Sequence, residues 1–168
     1  MHGFRRAGSR GRRYRRIVPG PDLVALNASM IDKILSGPPD PIVDGGYARR
    51  VLRTRGRRTG LVRSTPMGVV GLGGSQYLVC PDTHRDWARN LAADPDCTIA
   101  SRDAELPATT VPVPDDEAAP VVVTYLSAMR NLPFAINSFP VGPDATPDEI
   151  RPHLRTIRVL RLEPRAAA

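Results

Sequence analysis

The sequence predicts an α+β protein in which about six short strands close into a small barrel-like sheet, with helices tucked between them. Three observations lead there. Short apolar segments recur between turn signals, 18 Pro and 14 Gly stand against only 5% aromatic residues, and the regular strand–helix–strand rhythm of a doubly wound fold is missing. At 168 residues and 41% hydrophobic content, one domain can bury a core without metal or disulfide support. Segment 21–168 is read as that domain and segment 1–20 as a disordered, Arg-rich tail.

The elements follow in order. Pro21-Asp22 supplies a cap, and Leu23, Leu26, Met30 and Ile34, joined by Val24, Ile31 and Leu35, make one helical face that Gly37-Pro38-Pro39 ends. Asp40 to Tyr47 reads as loop, Arg50–Thr54 and Leu61–Leu72 as strands, and Gly73-Gly74 as a tight turn into a strand over Gln76–Cys80. Thr83 and Asp86 have capping-box spacing for a helix in which Trp87 and Leu91 lie four apart, and Asp94-Pro95 stops it. Cys97–Ser101 and Leu106–Val113 form a hairpin. A helix then runs from Pro114 to about Arg130, against the strand preference of Val121-Val122-Val123. After a Pro/Gly-rich loop, Thr146-Pro147-Asp148-Glu149 starts a short helix, and Thr156–Leu162 is a last strand.

The net charge is +7, yet residues 1–16 alone hold seven Arg and no acid; without them 17 basic residues face 17 acidic ones. The basicity belongs to the tail, so contact with nucleic acid or anionic lipid would run through that tail by nonspecific attraction. The longest uncharged stretch, Ser64–Pro81, is broken by Pro66 and four Gly and cannot form a transmembrane segment. Two cysteines, Cys80 and Cys97, make no secreted disulfide framework, and no metal-ligand spacing occurs. The Arg-rich start lacks the apolar region of a signal peptide, and a cytoplasmic location is expected.

The chemically informative segment is Arg49–Met67. It carries seven Arg (49, 50, 53, 55, 57, 58 and 63), and no acid occurs between Asp44 and Asp82. So many like charges on one strand–turn–strand unit repel one another unless an anion or solvent relieves them. Gly56 and Gly60 allow close approach of the turn backbone, and arginines offer forked, charge-assisted bonds to phosphate or carboxylate. Period two puts Arg63, Thr65 and Met67 on one face of the outgoing strand, and Ser64 and Pro66 on the other. A solvated hairpin in an Arg-rich chain accounts for the same residues. Tyr125 could donate a proton at a pocket rim; a lone Tyr on a Val- and Leu-rich helix is also an ordinary core residue.

Gly56-Arg57-Arg58-Thr59-Gly60-Leu61-Val62-Arg63-Ser64-Thr65-Pro66-Met67 resembles the G-R-x-[ST]-G-x-x-R-x-x-P-[LM] signature of the deazaflavin-dependent nitroreductase family, oxidoreductases that use coenzyme F420. Tyr77–Pro81, Asp86-Trp87-Ala88-Arg89-Asn90-Leu91 and Val159–Pro164 are similar to its third strand, Trp helix and terminal strand. The resemblance implies a split β-barrel related to flavin-mononucleotide (FMN) barrels. It also implies hydride transfer from reduced deazaflavin to a small organic acceptor such as a nitro compound, quinone or enone. A homodimer is implied too. The cofactor would be held by Arg57, Arg58, Thr59, Arg63, Ser64, Thr65, Pro66 and Met67 of the motif, and by Cys80, Pro81, Asp82 and Trp87 of the segment leading into the Trp helix. The linker Cys80–Arg85 is shorter than the Gly-rich A-S-x-G-G stretch of many members. Rival readings are an FMN-binding oxidase, a noncatalytic cofactor or fatty-acyl carrier of the same fold, and a nucleic-acid-binding protein.

Overall fold

Strand alternation builds the architecture of the computed structural model, which describes residues 21–166. In chain order the elements are α1 (Pro21–Ser36), β1 (Gly46–Arg55), β2 (Val62–Leu72), β3 (Ser75–Cys80), α2 (Asp86–Ala93), β4 (Asp96–Ala100), β5 (Glu105–Pro112), α3 (Asp115–Ala128), α4 (Pro133–Ile136), α5 (Pro147–Ile150) and β6 (Arg158–Pro164). The six strands close in the order β1-β2-β3-β6-β5-β4, with β4 returning to β1, and every pair is antiparallel. This is the α+β split barrel that the sequence predicts. The Arg-rich segment 1–20 and the last two residues lie outside the described residues.

Residues that face one another across antiparallel strands share a side of the sheet. Leu52 faces Ile99, Val69 faces Leu78, and Leu78 faces Leu160. These side chains, with Cys80, Cys97, Ala108 and Leu162, fill the barrel, and Trp87, Ala88 and Leu91 of α2 join them. The alternate positions Val70, Tyr77, Val79 and Val159 face outward into a second core with Ala118, Val121, Val122 and Leu126 of α3. β3 is therefore apolar on both sides, which is why Tyr77-Leu78-Val79-Cys80 reads as an unbroken apolar run.

Burial of Val121 and Val122 against that second core overrides their strand preference, and α3 stays helical through Pro120. Gly73 and Gly74 take φ of 60° and 77°, the left-handed pair that a two-residue hairpin turn needs. Thr146 and Glu149 form a complete capping box on α5.

Four expectations shift. The Thr83–Asp86 capping box does not form: α2 begins at Asp86, with Arg85 in the cap position and no side-chain cap. The Thr83 N–H donates instead to the Thr156 carbonyl (3.2 Å), and the Asp86 carboxylate faces Arg57. β1 begins at Gly46 instead of Arg50, because its pairing with β2 continues to Gly46–Gly71. The last strand begins at Arg158, two residues late, and the Pro/Gly-rich loop contains the single turn of α4.

Asp40 ties the start of β1 down. Its carboxylate accepts from the Arg49 backbone (3.0 Å), Nε (2.7 Å) and Nη2 (2.8 Å), and its carbonyl accepts from the buried Arg50 guanidinium (2.8 Å). The Arg49 hydrogen bonds hold the Asp40 pKa at about 2, below the value of about 3.9 for an unfolded chain. A carboxyl depressed on folding stabilises fully above the unfolded value and stops doing so as pH falls through the folded one. Asp40→Asn is therefore expected to melt below the wild type at neutral pH, with the gap closing between about pH 4 and pH 2. Paired melting curves across that range measure it, and a gap constant with pH would refute the assignment.

Candidate cofactor site

The β1–β2 hairpin outgrows the barrel. β2 meets β3 only over Val69–Leu72, so residues 62–68 have β1 on one side and no strand on the other. Unpaired backbone donors and acceptors on such an edge are free to meet a ligand. Pro66, which has no N–H, is tolerated there. The register pairs Thr54 with Arg63, Leu52 with Thr65 and Arg50 with Met67. Arg63, Thr65 and Met67 thus share the barrel-facing side, and Met67 packs on the barrel core. Ser64 and Pro66 face the other way. From Arg58 to Ser64 every residue is exposed.

The turn itself is tight. Gly60 N–H donates to the Gly56 carbonyl (2.7 Å), Gly56 N–H to the Leu61 carbonyl (2.8 Å), and Gly60 has φ 69°. Thr59 Oγ1 accepts from the Leu61 N–H (3.3 Å).

A buried asparagine sets where this turn lies. Asn90 Oδ1 accepts from the Arg57 backbone N–H (3.2 Å) and from its guanidinium (3.1 Å), while Asn90 Nδ2 donates to Thr54 Oγ1 (3.2 Å). One turn earlier on α2, Asp86 Oδ1 accepts from both terminal nitrogens of Arg57, each at 3.2 Å. Arg57 is therefore bound to α2 and is not a free cation, as a spacing argument alone would leave it.

Pairing sorts the seven arginines of the hairpin. Arg49 pairs with Asp40, Arg53 with Glu105, Arg55 with Asp94 (3.6 Å) and Arg57 with Asp86, and Arg50 donates to two carbonyls. Among the described residues, Arg58 and Arg63 have no hydrogen-bond or ion-pair partner. Both are exposed, Arg58 within the turn and Arg63 on the strand that leaves it.

The linker toward α2 is bound to itself. One Asp82 carboxylate oxygen accepts from the His84 N–H (2.9 Å) and lies 2.8 Å from His84 Nδ1; these bonds hold its pKa below the usual carboxylate value. Cys80 Sγ donates to the Asp82 carbonyl (2.9 Å), and burial pushes this thiol up to about 11. Cys80 and Trp87 lie in the barrel interior, at 0% and 8% exposure, with little of either side chain open to a ligand. Pro81 is half-buried beside them.

Tyr125 packs on Phe139 with ring centroids 5.5 Å apart. Burial pushes its phenol up to about 12, so it stays protonated near neutral pH as a weak acid. Tyr47, read from sequence as loop, lies in β1 with its ring over Gly68, where a side chain would collide with it. A glycine inside a strand is the sequence signal for such a close approach.

The chain is thus a split barrel with an open strand edge and a projecting turn that carries two unpartnered arginines. The sequence profile of the F420H(2)-dependent quinone reductase family matches residues 44–130, from the start of β1 past the end of α3. The chain belongs to that family and is an F420-dependent oxidoreductase. No curated protein matches it. Among solved structures it is similar to an F420-H2 dependent reductase (FDR-A), at 20% identity over 74% of this chain and 99% of that one, with a TM-score of 0.48. It is similar also to an F420 reductase (19%; 80% and 93%; 0.41) and to a heme-binding protein from Mycobacterium smegmatis (20%; 70% and 46%; 0.47). At these identities and scores the likenesses assign nothing further.

Removing the Asn90 side chain leaves the Arg57 N–H and the Thr54 hydroxyl without partners. Asn90→Ala is expected to lower stability by about 1–3 kcal/mol, the cost of stranded buried polar groups. Urea denaturation checks this, and an unchanged midpoint would show that the turn holds itself.

Proposed function

We propose that the chain passes hydride from reduced F420 to a quinone or a related small acceptor, such as a nitro compound or an activated enone. The observation that carries the placement is the sorting of charges: five of the seven hairpin arginines have partners and two do not. F420 has an anionic chain with a phosphodiester and carboxylates, and those acceptor groups fit the guanidinium donors of Arg58 and Arg63. In this reading those two residues hold the anionic chain, with hydroxyl or backbone donors from Ser64 and Thr65 on the open edge. Arg57, fixed by Asp86 and Asn90, orients the turn, and Thr59, Pro66 and Met67 complete the wall.

When bound, the deazaflavin supplies a hydride. The residues need only orient it against the acceptor and exclude water. Pro81 and Asp82 belong to the rim, where the Asp82 carboxylate shapes the loop. Tyr125, protonated at neutral pH, can hydrogen-bond an acceptor oxygen. A reducing, cytoplasmic compartment fits the two free buried thiols, Cys80 and Cys97. A homodimer is part of the same proposal, and sedimentation mass reads it.

Titration of cofactor fluorescence tests the placement. Arg63→Ala and Arg58→Ala are each expected to weaken F420 binding by about 10- to 150-fold, the scale of a charged hydrogen bond. Arg55→Ala, an exposed charge paired with Asp94, should cost less than about fivefold. Added salt should weaken wild-type binding, and FMN, with its shorter anionic tail, should bind less tightly. Equal loss from Arg55→Ala would put the anion elsewhere. Equal affinity for the two cofactors would favour a flavin oxidase.

A further inference from the structure

We propose that Tyr47 binds the acceptor: its hydroxyl, beside that of Tyr125, donates to a carbonyl oxygen of the quinone at the corner where β2 and β3 part. This rests on the reading above that the cofactor lies on the open edge of β2. Three tyrosines lie among the described residues, and Tyr77 already has a partner, donating to Glu117 (2.9 Å). The hydroxyls of Tyr47 and Tyr125 have no hydrogen-bond partner among the described residues. Every fully enclosed side-chain nitrogen or oxygen among those residues does have one, and both tyrosines are half-buried. Their hydroxyls therefore open on accessible space, while the rings are held by the protein.

The backbone brings the two phenols to one place. Tyr47 leaves β1 and reaches over β2 at Gly68. A Cβ added there would lie 2.2 Å from ring carbon Cδ2, 2.1 Å from Cε2 and 3.4 Å from Cζ, which bears the hydroxyl. Pairing of β2 with β3 ends one residue away, at Val69, so Gly68 is where the open edge begins. Tyr125 comes from α3, which packs on β1, β2 and β3. It lies close enough to Tyr47, and to Cys80 at the end of β3, for their charges to act on its phenol. Burial raises both phenols, that of Tyr125 to about 12, so both keep their protons near neutral pH. Two neutral donors at one corner suit an acceptor that gains charge on oxygen. Hydride addition to a quinone forms one bond to hydrogen and sends the displaced π pair to oxygen, where water then supplies the proton. Donors fixed beside that oxygen stabilise the charge as it develops and keep their own protons.

The test uses the full chain saturated with oxidised F420, on which the quinone menadione binds without turnover, and equilibrium dialysis reads its dissociation constant. Tyr47→Phe keeps the ring on Gly68 and removes only the hydroxyl. It is expected to weaken menadione binding by about 3- to 10-fold, the scale of one neutral hydrogen bond. With reduced F420, its kcat for menadione should fall at least about tenfold, because a donor aimed at developing charge counts most in the transition state. Its F420 affinity and melting temperature should match the wild type. Tyr47→Leu, which removes the ring as well, separates packing from recognition. A tyrosine that only packs would tolerate Phe without effect and lose melting temperature with Leu. Unchanged menadione binding and kcat in Tyr47→Phe would therefore overturn the inference, and F420 binding by the wild type would leave the cofactor reading standing. Equal loss of F420 and menadione affinity in Tyr47→Phe would place the phenol on the cofactor and overturn it too. A wild type that does not bind F420 would overturn both.

Discussion

Closing six antiparallel strands into a barrel gives each strand a neighbour on both sides wherever its length matches theirs. Here the lengths differ. β1 and β2 have 10 and 11 residues, and the other four have 5 to 8. The surplus projects as a hairpin whose second strand has an unpaired edge over residues 62–68. Such an edge is a hazard in a soluble protein, because open donors and acceptors recruit other strands. Arg63 and the proline at 66 guard it, and in the function proposed here the same edge receives the anionic chain of the cofactor. The opening in the sheet and the candidate site are therefore one feature, produced by strand length.

A projecting hairpin with so many arginines would swing freely and repel itself without support. α2 supplies that support in two ways. Trp87, Ala88 and Leu91 plug the barrel, which fixes the helix, and Asp86 with Asn90 then fixes the turn through Arg57. Neutralising one arginine at the base of the turn lowers the repulsion felt by Arg58 and Arg63 and leaves both charges available. A turn backbone already held in place lowers the ordering cost when a ligand arrives, which is the advantage of preorganisation.

Much of this was legible in the sequence for physical reasons that can be named. Turn glycines at 60, 73 and 74 marked positions where only a positive φ fits, and the order of elements followed from them. The period of two sorted Arg63, Thr65 and Met67 from Ser64 and Pro66. Sequence pattern could not say which arginines had partners, because Asp40, Asp86, Asp94 and Glu105 arrive from elsewhere in the chain. That is why Arg57 looked equivalent to Arg58. Local spacing also misassigned Asp86: its distance from Thr83 suits a capping box, but Arg57 offers the carboxylate a charged partner, and a charge-assisted bond outweighs a neutral cap.

Trp87 shows how packing and recognition separate in this fold. Its place in the D-W-x-R-N-L segment invites the reading of an aromatic that stacks on a ring system. At 8% exposure within the barrel core it has little surface to offer a ligand. Its effect on the site must pass through α2. If the plug shifts, Asp86 and Asn90 move with the helix, and Arg57 and the turn follow. A core residue thus influences a site it does not touch, by the stiffness of one short helix and three hydrogen-bonded side chains. The site residues can remain exposed and adaptable because the order they require is stored in the interior behind them.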